Sequence, residues 1–142
     1  MFEKYTNSFL NDFNFNNLLE KFDNKKFITF HEGDLLFCEN SPVTEIYFIL
    51  SGEVILSKLN LNSESETVTL SGSGDILGFY DALTNREHSN SAVALQDTNV
   101  FAVDTDDLLK LVNRKDEFNL WALNYLSRKL EAIDKESEHP LW

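Results

Sequence analysis

Cysteine is nearly missing from this chain. Cys38 is the only one in 142 residues, so an internal disulfide framework is excluded, as suits a reducing compartment. Basic residues are scarce as well: twelve Lys and Arg face twenty-four Asp and Glu, leaving a formal charge of −12 at pH 7. Such a surface repels nucleic acid, whose binding needs clustered cations to displace phosphate counterions. It opposes docking on an anionic membrane for the same reason. No apolar run reaches the length of about 18 residues that a membrane span needs. The N-terminus carries acidic residues and Asn instead of a basic region followed by an apolar stretch, so no signal peptide is expected. A cytoplasmic location, with no membrane and no direct nucleic-acid partner, is the expectation.

Catalytic patterns are missing too. The sequence holds no HExxH, no P-loop, and no Ser/His/Asp or Cys/His arrangement at strand ends, so the chain is not expected to be an enzyme. His31 stands beside Glu32 with no second ligand at a useful spacing, so a structural or solvent-facing role is expected there and no metal site. Cys38 reads as a small core or boundary residue.

What the chain does have is apolar substance: 42% hydrophobic residues, including twelve Phe, enough for one core. Phe9, Leu10, Phe13, Leu18, Leu19 and Phe22 recur at three- and four-residue steps, predicting one or two amphipathic N-terminal helices within residues 1–26. From Phe27 to Val103 the period shortens. Phe27–Phe30, Leu35–Phe37, Ile46–Leu50, Val54–Leu56, Thr67–Leu70, Ala92–Leu95 and Val100–Val103 are β-rich runs divided by Gly, Asn, Ser and Pro. Seven or eight short strands at such spacing predict an all-β barrel or sandwich over 27–103. Leu59–Glu66, polar and acidic, reads as an exposed hairpin loop. Residues 104–142 turn helical. Asp104–Asp107 supplies capping and acidic residues for a first helix, and a longer helix should run from about Glu117 to Ser137. On it Leu123, Leu126, Leu130 and Ile133 are spaced three, four and three, the seam of a coiled coil, and predict a homodimer. Phe118, Trp121, Ala122 and Tyr125 widen the apolar face.

The stretch from Gly74 to Ala94 carries the functional signal. Gly74-Asp75 reads as a turn, Gly78 opens a short helical run through Leu83, and a polar loop of 84–91 feeds the strand at Ala92. A glycine admits close approach of the backbone to a ligand, and free N–H groups at a helix start suit a phosphate. A plain turn, helical turn and strand without ligand is the alternative that this stretch alone leaves open.

Gly33-Asp-Leu-Leu-Phe37, Ile46-Tyr-Phe-Ile-Leu-Ser-Gly52-Glu-Val54 and Gly74-Asp-Ile-Leu-Gly78 together resemble the cyclic nucleotide-binding domain family over residues 18–135, in particular the regulatory domains of bacterial cAMP receptor and Crp/Fnr-like proteins. The resemblance implies a mainly β fold with flanking helices: a double-stranded β-roll, jelly-roll-like, whose corners are turned by these glycines. It implies a sensory or regulatory module acting in signal transduction and transcription regulation, dimerising through the long helix. It also implies a cassette after Gly78 that cradles a cyclic phosphate, with candidate ligand-binding residues Gly78, Phe79, Tyr80, Asp81, Ala82, Arg86, His88, Ser89, Asn90 and Ser91.

Two positions depart from the pattern. The family places a Glu after the glycine, to accept from the ribose hydroxyl, where this chain has Phe79. It places an Arg, to pair with the phosphate, where a gap-free register puts His88. Phe accepts no hydrogen bond, and neutral His lacks the cationic fork. Losing a charge-assisted pair at such a site costs about 2–5 kcal/mol. Tight cAMP binding is therefore not expected. Altered cyclic nucleotide binding, another small phosphate-bearing ligand, or no ligand and a role in protein interaction all stay open. Arg86, two residues early, is a candidate substitute cation, Tyr80 and Asp81 candidate acceptors, and His88 a cation once protonated. Regulators of this kind usually carry a helix-turn-helix after the long helix. None is present before Trp142, so an effector domain of a longer transcription factor or a stand-alone module is expected.

Overall fold

The computed structural model describes residues 22–59, 62, 65–84, 86–113 and 117–136. Phe22–Leu109 form one compact unit, and the chain from Lys110 belongs to another. The first is a roll of two four-stranded antiparallel sheets. One holds β1 (Lys25–Phe30), β8 (Thr98–Asp104), β3 (Glu45–Ser51) and β6 (Ile76–Leu77), in that order. The other holds β2 (Leu35–Phe37), β7 (Ser91–Ala94), β4 (Glu53–Leu59) and β5 (Ser65–Gly72). A short helix, α1 (Phe79–Leu83), stands between β6 and β7. Two more follow the roll: α2 (Thr105–Asn113) and α3 (Glu117–Glu136). The fold is mainly β with flanking helices, jelly-roll-like, as the residues led one to expect.

Pairs of successive strands, β1 and β2, β3 and β4, β5 and β6, lie in different sheets, so the chain must turn a corner after each first member. Gly33, Gly52 and Gly74 stand at these three corners, each with positive φ. Gly52 shows why the residue must be glycine. Its φ is 107°, and a Cβ built there would collide with the Thr98 hydroxyl and backbone. That hydroxyl in turn accepts from the Glu53 N–H at 3.2 Å and ties the corner to β8.

The core lies between the two sheets. Tyr47, Ile49, Leu77, Val100 and Ala102 project from one, and Leu36, Val54, Ala92 and Ala94 from the other. The alternation is that of a pleated sheet, in which successive side chains point to opposite faces. β3 and β8 are buried on both faces, so they read as continuous apolar runs instead of alternating ones. On their second face Phe48 lies opposite Phe101, rings stacked at 4.6 Å, with Phe22 at 5.9 Å from Phe48. Offset aromatic pairs of this kind add to simple burial.

Several expectations need adjustment. Ile76-Leu77, read only as part of the turn into the cassette, forms a strand pairing with Tyr47 and Phe48. A two-residue strand gives no periodicity, and only its partner β3 defines it. The hairpin loop read at Leu59–Glu66 is shorter, because β4 and β5 stay paired out to Leu59 and Ser65. The polar composition of this ribbon does not keep its backbone from pairing. Cys38 is exposed, neither core nor boundary, because it leaves β2 into a turn where its carbonyl accepts from the Ser41 N–H at 3.2 Å. His31 is exposed and meets Asp97 at 3.2 Å, in keeping with a surface role. The helices expected N-terminal of Phe22 lie outside the described residues.

In the second unit, α3 runs as expected to within a residue. Asn119 donates its side-chain N–H to the Val112 carbonyl at 2.6 Å, capping the end of the preceding helix. Leu123 and Leu130 are 64% and 53% exposed, Leu126 is half-buried, and Ala122 is buried. The side chains of Phe118, Trp121 and Ile133 lie outside the described residues.

Candidate functional site

Every element of the cassette is built around Gly78. It ends β6 with φ 86° and serves as the N-cap of α1 without any side-chain cap. A left-handed turn there lets the chain reverse from strand to helix within one residue. The helix then sorts its side chains by face. Phe79 is 2% exposed and Ala82 is buried, while Tyr80 is 63% exposed. Asp81 points inward too, at 7% exposure.

The following loop is held down by an antiparallel ladder from a segment about fifty residues earlier. The His88 N–H donates to the Ser41 carbonyl at 2.9 Å, and the Asn40 N–H to the His88 carbonyl at 2.8 Å. Pro42 bridges Glu87, and the Val43 N–H donates to the Arg86 carbonyl at 2.9 Å. Ser91 extends the clamp by accepting from the Glu39 N–H at 2.9 Å. Arg86 itself sits at φ 63° with its side chain exposed.

This ladder turns the His88 ring into the protein, where it is 4% exposed. Its ring stacks on Phe37 at 3.7 Å and 11°, and Phe37 lies parallel to Tyr47 at 6.0 Å. On another side is Gly78, where a Cβ would come within 3.3 Å of the His88 Cε1. Burial pushes the imidazole below its ordinary value of 6.5, with the negative charge of Asp81 opposing. Among the described residues its Nδ1 is buried without a hydrogen-bond partner. His88 is thus a neutral ring in a column of aromatic side chains.

Asp81 is the polar centre of the cassette. One carboxylate oxygen accepts from the Ser89 N–H at 2.8 Å and the other from the Ser89 hydroxyl at 2.6 Å. Its main-chain carbonyl accepts from the Arg86 N–H at 2.6 Å, so one residue ties the helix to both parts of the loop. The fold brings together Gly78, Phe79, Asp81, Ala82, His88 and Ser89. Asn90 is half-buried beside them, and the side chains of Tyr80 and Arg86 stand toward solvent.

The family model for the cyclic nucleotide-binding domain matches residues 27–115. The chain belongs to that family. Against the cyclic AMP receptor protein of Thermus thermophilus, the cyclic nucleotide-binding domain described here is 34% identical over 107 residues, covering 74% of this chain and 49% of the relative. The crystal structure of the Thermus thermophilus catabolite activator protein superposes with a TM-score of 0.65 at 30% identity, over 79% of this chain and 53% of that one. The EAL enzyme Bd1971 in its cAMP-bound form gives a TM-score of 0.59 at 25% identity, over 74% of this chain and 28% of that one. The chain spans about half the length of the curated relatives it matches.

Within the domain, Phe37 and the 38–43 segment carry no sequence signal that ties them to the cassette. Phe37 reads as one more apolar strand residue, and its contact with His88 spans fifty-one positions. The pairing of β2 with β7 and the ladder between 40–43 and 86–88 together bring the two rings into contact.

Proposed function

We propose that this cyclic nucleotide-binding domain is a sensory or regulatory module of a bacterial regulator in which cAMP recognition is lost or altered. The observation that carries the reading is the burial of Phe79 and His88, at 2% and 4% exposure, with Phe37 stacked over the His88 ring. These are the positions where the family pattern places the ribose acceptor and the phosphate-binding cation. A neutral ring and a hydrocarbon ring now fill them, and neither exchanges its contacts for those of a phosphate ester without exposing apolar surface. The relatives named for cyclic AMP support the ancestry of the site, not the retention of its ligand. The reading is regulatory and not catalytic, cytoplasmic, without membrane or direct nucleic-acid contact by this chain. The β-roll expected at 27–103 has strands running from Lys25 to Asp104, because Lys25 and Lys26 pair with Val103 and Ala102 on β8, and the C-terminal helices begin at Thr105.

The second reading is that the domain acts through dimerisation or docking on a protein, as a stand-alone module or as the effector part of a longer transcription factor. The exposure of Leu123 and Leu130, seven residues apart on α3, favours a homodimer built with Leu126 and Ile133. Both readings can hold at once, because a sensory roll reports through its helix.

Titration of the unmodified protein with cAMP and cGMP decides the first. At millimolar nucleotide, thermal stability is expected to stay unchanged. A ligand at a hundred times its dissociation constant would add about 2.7 kcal/mol, so the measurement is sensitive. Phe79→Glu with His88→Arg should create or strengthen binding beyond either change alone. Micromolar cAMP binding by the wild type would overturn the reading.

A further inference from the structure

The donors of Ser89 are the kind of pair that holds a phosphate oxygen: a main-chain N–H and a hydroxyl on one residue, at the entry to a strand. Here both already hold a carboxylate, at 2.8 and 2.6 Å. That carboxylate belongs to Asp81 on α1, and the residue is buried, at 7% exposure. Two charge-assisted bonds to one residue make a strong local contact. Ser89 itself is exposed, so a second anion reaching the same donors would have to displace the first.

We propose that Asp81 is the specificity-determining residue of the cassette: an internal carboxylate that occupies the Ser89 donors and excludes phosphate oxyanions from them. The inference deepens the reading that this domain has lost or altered its cyclic nucleotide site, and rests on it. Phe79 and His88 explain which favourable contacts are missing. Asp81 supplies a repulsive element in addition, and specificity commonly uses both. The geometry distinguishes Asp81 from the many surface carboxylates of this acidic chain. Its side chain is turned inward by the face-sorting of α1, beside buried Phe79 and Ala82, and its carbonyl holds the Arg86 N–H at 2.6 Å. Helix, loop and strand entry all meet at this one residue.

The experiment compares wild type with Asp81→Ala, titrated separately with inorganic phosphate and with cAMP at constant ionic strength. Amide chemical shifts of Ser89 and a thermal-shift assay are the readouts. Asp81→Ala is expected to bind at least one probe about tenfold or more tighter than wild type, a difference of about 1.4 kcal/mol or more. The Ser89 amide should be among the resonances that move. Equal gains with both probes assign the site to the oxyanion alone, and a larger gain with cAMP adds contacts to ribose or base. A folded Asp81→Ala protein that binds neither probe more tightly overturns the proposal, whose Asp81 is then only a loop clip. If Asp81→Ala does not unfold cooperatively, Asp81→Asn, neutral and of the same shape, takes its place: a gain supports the proposal and no gain overturns it. The two readings fail separately. Wild-type cAMP binding sinks the loss of recognition, whereas a responsive Phe79→Glu, His88→Arg protein beside a silent Asp81 variant sinks only the role of Asp81.

Discussion

His88 is a titratable side chain that the fold holds in an apolar place, and this has consequences with a definite sign. Its pKa in the folded protein is lowered by burial, despite the nearby charge of Asp81. Well above pH 6.5 the ring is neutral whether the chain is folded or not, and titration takes nothing from stability. As pH falls through the unfolded value, the unfolded chain binds a proton that the folded ring refuses, and stability is lost. We expect stability to fall as pH drops through about 6.5, with a slope bounded by about 1.4 kcal/mol per pH unit for one proton. His88→Phe should flatten the profile in that window, as followed by denaturant unfolding at each pH. The same variant should keep its stability within about 1 kcal/mol at neutral pH, since it removes an unpartnered buried nitrogen and can keep the stack on Phe37. A steep profile in His88→Phe would place the proton elsewhere. The lowered pKa also means that an acid-induced cation at His88 comes later on the pH scale than the sequence led one to expect.

At the scale of elements, the pleat and the corners decide what survives substitution. Phe101→Ala on β8 removes the ring stacked on Phe48 and leaves a cavity, which costs about 3–5 kcal/mol in a close-packed interior. Gly78→Ala puts a side chain at φ 86° and within 3.3 Å of His88 Cε1. A loss of about 1–2 kcal/mol is expected from the left-handed backbone alone, and chemical denaturation should show it without a change in slope. These elements were largely legible beforehand, for a physical reason. Strand periodicity, positive-φ glycines and a capped amphipathic helix are local signals, and Ile46–Leu50 or Gly52 declare themselves without their partners. What stayed hidden is relational. Ile76-Leu77 becomes a strand only beside Tyr47, Phe37 becomes a lid only over His88, and Asp81 becomes a resident anion only where Ser89 returns to it eight residues later. The chemistry of the cassette follows from these pairings, so composition and spacing could name its residues without ranking them.

For the whole molecule the deciding quantities are the net charge and the apolar seam of α3, and they oppose each other. A chain of −12 repels its own copies, so association has to be driven by burial of Leu123 and Leu130, which are 64% and 53% exposed in the isolated chain. Removing apolar surface from water contributes about 25 cal/mol per Å², enough for side chains at the a and d positions of a seam to hold two helices together. Salt separates the two effects. Raising ionic strength from about 0.05 to 0.5 M shortens the Debye length to a few ångströms and screens the repulsion, while leaving apolar contacts intact or stronger. Sedimentation at micromolar concentration should therefore give twice the chain mass, with the dimer tightening as salt rises. Leu123→Asp adds one more negative charge and takes away a seam contact, and should return the protein to a monomer at every salt concentration. A dimer that weakens with salt would mean that ion pairs between flanking residues such as Arg128 and Glu131 hold it together instead. A wild type that stays monomeric at high salt would leave the α3 seam without a partner copy, and dimerisation through it would have to be abandoned.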